Sequence, residues 1–236
     1  MKKLYPILII SLLFLLFGCS TSEKQSNKKS QIEHNKELQK EYDFMNLIEM
    51  DNGLWTEKFS DEPISGKVFG YFGEVQPLKK VYMGNLRNGK KEGKWVSYYH
   101  STGKKSFEYN FKNGKEDGLF TYWGEYGQKM GEGNYKDGKK DGLCTRWYKN
   151  GQKWTEATYK DGKVDGLYSE WYINGQKRMR ETFKDGKVNG LRTLWYENGQ
   201  KSSERTYKDG ELISEECLDE DGNECECHEV YWKGCK

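Results

Sequence analysis

The chain of 236 residues reads as all-β: an elongated, single-layer antiparallel β-meander of about six hairpin repeats, with a short Cys-rich C-terminal cap. Three observations predict this. One phrase recurs at a fixed period, each copy holds two hairpin-type turn signals, and the segments between them have the length and composition of strands.

The period comes first. Phe111, Tyr135, Tyr159, Phe183 and Tyr207 fall 24 residues apart, as do Gly118, Gly142, Gly166 and Gly190, and Trp123, Trp147, Trp171 and Trp195. Upstream, "SGKVFGYFG" from Ser65 and "EGKWVSYYHSTGKK" from Glu92 are looser copies, and "DNGLWTEKF" at 51–59 looks like a degenerate leading hairpin. The repeats are assigned to residues 47–214 and the cap to 215–236.

Each unit has two turn signals, such as Asn-Gly at Asn150–Gly151 and Asp-Gly at Asp161–Gly162. Both dipeptides favour a type I′ turn, which needs positive φ at its two central residues. Between them lie segments such as "LCTRWY" and "KWTEATY", rich in β-branched and aromatic residues. Recurrent glycines and the lack of a 3.6-residue stripe exclude helices. With two-residue turns throughout, Trp147 faces Trp154 and Gly142 faces Tyr159, so that an aromatic ring covers a strand glycine in every unit. The repeat length is even and side chains alternate with period 2, so each unit presents the same faces without a bulge. Leu143, Thr145 and Trp147 share one face, with Cys144, Tyr148 and Tyr159 on the other.

The phrase aromatic-x-[DN]-G-K-x-[DN]-G-L, followed by an aromatic pair and N-G-Q-K, resembles the bacterial variant of the MORN repeat over roughly residues 64–212. The resemblance implies a single-layered sheet of consecutive hairpins acting as an interaction scaffold. Some bacterial members carry an antitoxin label.

Composition agrees with a thin sheet. Apolar residues make up 34% of the chain, below the roughly 45–50% of globular proteins, whereas aromatics reach 15% and glycines number 27. Basic and acidic residues, 39 and 37, are finely mixed to a net charge of +2, which gives no electrostatic stripe for nucleic acid.

Residues 1–18 read as a lipoprotein signal peptide: Lys2 and Lys3 precede an apolar run from Leu4 to Phe17, too short for a membrane span of about 20 residues. "LFGC" resembles a lipobox, making Cys19 the lipid-bearing residue, although Phe17 departs from the small residue usual there. Ser20 resembles the sorting signal for the outer membrane of Gram-negative bacteria. Residues 19–46 follow as a polar, lipid-anchored tether.

No catalytic constellation is visible. His34, His100 and His228 have no nucleophile or metal-ligand pattern beside them, and the recurrent carboxylates read as turn formers. No enzyme activity, cofactor or metal is expected. The candidate binding face is the aromatic row Trp123, Trp147, Trp154, Trp171 and Trp195. Indoles roughly 10 Å apart, two strand spacings, suit stacking on sugars or gripping a protein's apolar side chains; they also suit the core of a thin sheet. Three columns vary among copies: Cys144, Tyr168 and Arg192; Arg146, Glu170 and Leu194; Trp154, Arg178 and Ser202. Such columns are where a repeat protein writes specificity.

In the tail, Cys217, Cys225, Cys227 and Cys235 are disulfide candidates, since an exported chain favours disulfides over metal. Three connectivities are open, and a bridge between Cys225 and Cys227, one residue apart, is the least plausible. A three-residue loop at Asp221–Asn223 would set Cys217 opposite Cys227 and leave Cys225 with Cys235. Such a stapled hairpin blocks the sheet edge. Cys144 reads as a small buried thiol. The expected function is a lipid-anchored envelope scaffold that binds a protein partner, of immunity type if it intercepts a toxin. The alternative is binding of peptidoglycan or surface glycan through the tryptophan face.

Overall fold

The computed structural model describes Lys36, residues 39–72 and residues 78–227. The signal peptide, Cys19 and Cys235 lie outside the described residues. From Gly66 onward the chain is an antiparallel meander. Gly66–Phe72 pairs with Lys79–Arg87, which pairs with Lys90–Tyr98, and then come Lys105–Lys112, Gly118–Trp123, Lys129–Lys136 and Gly142–Trp147. The order continues through Lys153–Lys160, Lys163–Trp171, Lys177–Lys184, Lys187–Trp195, Lys201–Lys208 and Glu211–Leu218. The all-β, single-layer hairpin fold is the one the repeats predict.

The two turns of each unit differ. Asp161 and Gly162 have φ of 51° and 86°, and Lys160 faces Lys163, which is the two-residue type I′ turn expected. At the Asn-Gly turn only Gly151 is left-handed, with φ 86°. The Gly151 N–H donates to the Tyr148 carbonyl (3.0 Å) and the Tyr148 N–H to the Gln152 carbonyl (2.8 Å). This is a three-residue loop, a type I turn closed by a left-handed glycine. The extra loop residue is offset by a bulge. Trp147 pairs with Lys153 but Arg146 pairs with Thr155, so Trp154 has no opposite number. Ser106, Met130, Arg178 and Ser202 are bulged in the same way. Beyond the bulge the register returns to the predicted one, with Gly142 facing Tyr159, Gly166 facing Phe183 and Gly190 facing Tyr207. The bulge-free pairing of Trp147 with Trp154 is therefore corrected.

The role of the strand glycines also changes. The nearest atom to a Cβ built on Gly166 is Thr158 Cβ at 3.3 Å, not the Phe183 ring, and its φ of +118° is what demands glycine. Rings lie on glycine elsewhere. A Cβ on Gly131 would stand 2.2 Å from the Tyr122 ring, and one on Gly133 would stand 2.4 Å from Cys144 Sγ.

The two ends of the sheet are built differently. At the N-terminal end Glu41–Asp43 adds a short parallel strand against Lys67–Phe69, so order reaches into the segment read as tether. The leading hairpin exists as Leu47–Glu49 paired with Trp55–Glu57, but it forms a separate two-stranded sheet rather than a first rung. It folds over an aliphatic cluster of Leu47, Ile64, Val68, Met83, Leu86 and Trp95, tied to the meander by Trp55 N–H donating to the Gly89 carbonyl at 2.7 Å. At the C-terminal end Glu211–Leu218 crosses the boundary expected at 214/215 as the last full rung. Cys217 bonds Cys227, as predicted, although the loop sits one residue earlier and the backbone partner of Cys217 is Cys225. Cys225 is itself disulfide-bonded.

Replacing Gly166 with Ala forces a Cβ into a left-handed backbone and is expected to cost about 1–3 kcal/mol. Asp161→Gly, at a turn glycine accepts, is expected to stay within about 1 kcal/mol of wild type. Urea midpoints of the two variants test the contrast.

Candidate interaction surface

The tryptophans recur on the strand end next to the three-residue loop, where each lies across from one lysine and beside another. Trp123 pairs with Lys129, Trp147 with Lys153, Trp171 with Lys177 and Trp195 with Lys201. The preceding unit's lysine also lies over each ring. Lys105 is 5.8 Å from the Trp123 centroid, Lys129 5.2 Å from Trp147, Lys153 5.4 Å from Trp171 and Lys177 5.9 Å from Trp195. A row of alternating lysine and tryptophan thus crosses the sheet, with cation–π contacts between units. The lysines are held in turn by carboxylates: Lys105 by Glu108 (2.9 Å), Lys129 by Glu132, Lys153 by Glu156 (2.6 Å) and Lys201 by Glu204 (2.8 Å). Arg180 breaks the pattern where the next glutamate falls. The Trp backbones are used as well, because Tyr148 Oη donates to the Trp171 carbonyl and Tyr172 Oη to that of Trp195, both at 2.8 Å.

Four of the five predicted tryptophans, Trp123, Trp147, Trp171 and Trp195, are thus brought into one row, half-buried, with an ammonium on each ring. Trp154 is not among them. It is the bulged residue, 40% exposed, and its ring packs 5.9 Å from that of Tyr148 on the other side of the sheet. The ladder reads as structural cross-bracing, since one face of each ring carries a lysine ammonium in place of a sugar.

The opposite face is the one that changes along the molecule. It carries all three variable columns. In its first half Phe107, Tyr109, Phe120, Tyr122 and Tyr135 form a ribbon of ring contacts with centroids 5.1–6.2 Å apart. The two columns at Phe120 and Gly133 trade volume between units, becoming Cys144 with Ala157, Tyr168 with Glu181 and Arg192 with Arg205. In the second half charge replaces the rings. Glu181, 4% exposed, takes Arg192 Nε at 2.6 Å and Nη2 at 2.5 Å, and Arg192 also donates to Tyr207 Oη at 3.1 Å. Tyr168 Oη donates to Glu170 at 2.5 Å, and Glu170 pairs with Arg178 at 3.0 Å. Burial pushes the Glu181 carboxyl up, more than Arg192 pulls it down. Burial also drives the Tyr168 phenol upward, helped by its bond to Glu170. Glu170, Arg178, Glu181, Arg192 and Tyr207 line an open groove of about 540 Å³ with Tyr172, Met179, Val188 and Leu194.

The sequence pointed to this face through its variable columns, but not to the charge cluster that the columns build. Cys144 is a buried free thiol, as expected, with its ionisation disfavoured by burial. His100 sits in a turn against Phe72. Among the described residues no group of three His, Cys, Asp or Glu side chains is placed to hold a metal, and no helix is long and apolar enough to cross a membrane.

Hairpins stacked at constant register, with a fixed bracing face and a variable face, define a β-hairpin repeat sheet. The family model of the MORN repeat variant matches residues 140–161 and 188–209, and the chain carries repeats of that family. MORN repeats generally serve protein or lipid interaction. No curated protein matches the chain.

If the ladder is bracing, Trp171→Ala is expected to destabilise the sheet by about 2 kcal/mol or more, from lost burial and the lost Lys153 contact. Lys153→Met, which keeps the apolar stem, is expected to cost under about 1 kcal/mol. Thermal unfolding separates the two. A second test concerns pH. A carboxyl raised in the folded state contributes stability that is complete below its unfolded pKa and is lost as pH rises through the folded one. Stability from Glu181 therefore falls on going up from its ordinary 4.5. Glu181→Gln removes that component, so the variant's urea midpoint should decline less than wild type's between about pH 4 and about pH 7.

Proposed function

We propose that the protein is a non-enzymatic, lipid-anchored scaffold of the cell envelope whose variable sheet face docks a protein partner. One observation carries this reading. The three columns that differ between otherwise repeated units all fall on one face, where they assemble an aromatic ribbon, buried ion pairs and a groove. Rings with polar handles and pre-ordered arginines are the groups that dominate protein interfaces. Arg178, half-exposed and held by Glu170 and Tyr172, is positioned to act as such an anchor. The lysine-capped tryptophans favour a protein over a glycan as the ligand. Attachment through Cys19 rests on the "LFGC" ending of the apolar run, and outer-membrane placement on Ser20.

The anchor is tested by the intact mass of the mature protein. A diacylated or triacylated N-terminal Cys19 is expected, and Cys19→Ser is expected to move the chain from the membrane to the soluble fraction. The partner is tested with that soluble form as bait in an envelope extract. Capture of one protein at near-equal stoichiometry is expected, lost on Arg146→Ala with Arg178→Ala. It should persist on Lys129→Ala with Lys153→Ala on the ladder face. Loss through the ladder variant alone would place the docking face on the wrong side.

A further inference from the structure

The aromatic ribbon of the variable face is interrupted near the middle of the sheet. Ring contacts run from Phe107 through Tyr109 and Phe120 to Tyr135, and resume along the same columns at Tyr168 with Phe183. Between these points Cys144 pairs with Ala157. Both are small, whereas the units on either side place Phe120 and Tyr168 in the column of Cys144. The missing volume stays open as a notch of about 260 Å³, lined by Cys144, Ala157, Tyr122, Tyr135, Tyr159 and Tyr168. Sites that enclose a drug-sized molecule run to roughly 300–1,000 Å³, so this one suits a single side chain.

The charge in the notch is one-sided. Arg146 and Lys140 both line it. Arg146 is exposed, and its register partners, Gly131 and Thr155, are small. Lys140 lies 5.2 Å from the Tyr159 ring centroid. Among the described residues neither cation has a carboxylate within salt-bridge distance. Glu132, the only described carboxylate lining the notch, is held by Lys129. Glu170, which pairs with Thr155 on the next strand, is held by Tyr168 and Arg178. Elsewhere on this face the arginines are matched, Arg192 with Glu181 and Arg205 with Glu215. The hydroxyls of Tyr109, Tyr122 and Tyr135 likewise have no hydrogen-bond partner among the described residues. Burial raises the pKa of all three, so they remain donors at neutral pH. Tyrosine walls alone would suit a cation as well as a ring. The unmatched guanidinium and ammonium exclude the cation and favour an anion.

We propose that this notch receives an aromatic side chain of the protein partner that is flanked by Asp or Glu. The ring takes the place left empty at Cys144 and Ala157, between Tyr135 and Tyr168. The neighbouring carboxylates pair with Arg146 and Lys140 and accept from the tyrosine hydroxyls. The site rests on the protein-docking reading and gives the partner's contact a definite chemistry, an acidic aromatic segment.

The test uses the full chain and a fluorescent synthetic peptide, Glu-Glu-Phe-Glu-Glu, read by anisotropy. Saturable binding that weakens with salt is expected. Exchanging the peptide's phenylalanine for alanine, or its glutamates for lysines, should weaken binding by at least about tenfold in each case. Lys140→Gln with Arg146→Gln removes the charge and should do the same while the melting temperature stays near wild type. Ala157→Leu fills the notch and should also weaken the peptide, and the charge variant keeps the test decisive if that chain fails to fold. Equal binding of the alanine peptide, indifference to the charge variant, or self-association of the chain in place of peptide binding would each overturn the proposal. So would benzoate binding as tightly as the peptide, which would make the notch a small-molecule site. Failure here and failure of the docking face give different results. If the peptide does not bind but capture from the envelope extract is still lost on Arg146→Ala with Arg178→Ala, the notch fails and the docking face stands. Peptide binding with no envelope protein captured would sink the docking reading instead.

Discussion

Beyond the backbone ladder, each hairpin is tied to its predecessor by side chains that converge on the tryptophan that recurs once per unit. Its ring receives the ammonium of the preceding unit's lysine, as Lys153 lies over Trp171, and its carbonyl receives the preceding unit's tyrosine hydroxyl, as Tyr148 donates to Trp171. A single sheet has no second layer to bury against, so bracing between neighbours must substitute for a core. Each contact is small, on the order of 1 kcal/mol, but the lysine contact recurs at Trp123, Trp147, Trp171 and Trp195. The tyrosine contact recurs at all of these but Trp147, where Gly124 stands in the tyrosine's place. The other edge repeats the device with backbone groups, where the Gly162 N–H donates to the Lys140 carbonyl and that of Gly186 to Val164, both at 2.9 Å. Stability of this kind accumulates by neighbour interactions, as in other repeat proteins.

That bracing works only if the faces stay in phase. The three-residue loop at Asn150–Gly151 alone would displace the pairing by one residue and send the strand's side chains to the wrong sides. The bulge at Trp154 restores the phase within the same hairpin. A bulged residue is also the one whose side chain the ladder does not dictate, which explains why this column accepts methionine, tryptophan, arginine and serine in turn. The constraint that keeps one face constant thus releases a position on the other.

Much of the fold was legible because it is written in dipeptides and spacings. Asp-Gly and the 24-residue period specify hairpins, and Gly142 facing Tyr159 follows from them. Asn-Gly was ambiguous, because asparagine serves as well in a type I turn before a left-handed glycine as in a type I′ turn. The bulge was invisible for the same reason: loop and bulge cancel, and the distant register is the same with or without them. The hydrophobic cluster around Leu86 and Val68 escaped because its members come from the leading hairpin and the looser first copies, where the 24-residue period does not hold. At the candidate surface, the columns could be read but not their chemistry. That Glu181 meets Arg192 rather than solvent depends on the volume left by neighbouring units.

The two ends of the sheet face the same physical problem and answer it differently. An open repeat sheet presents unpaired backbone at both ends, and identical ends would stack copies without limit. The N-terminal end closes by burial, with Glu41–Asp43 laid parallel against Lys67–Phe69 and the Leu47–Glu49 hairpin folded over aliphatic side chains. The C-terminal end is stapled instead, with the Cys217–Cys227 disulfide holding Glu224–Cys225 against the last rung. That strand also changes its charge, with acids at Glu211, Glu215 and Glu216. Acids along Glu211–Glu216 oppose pairing with a second copy of themselves, because like charges would then face each other across the new ladder.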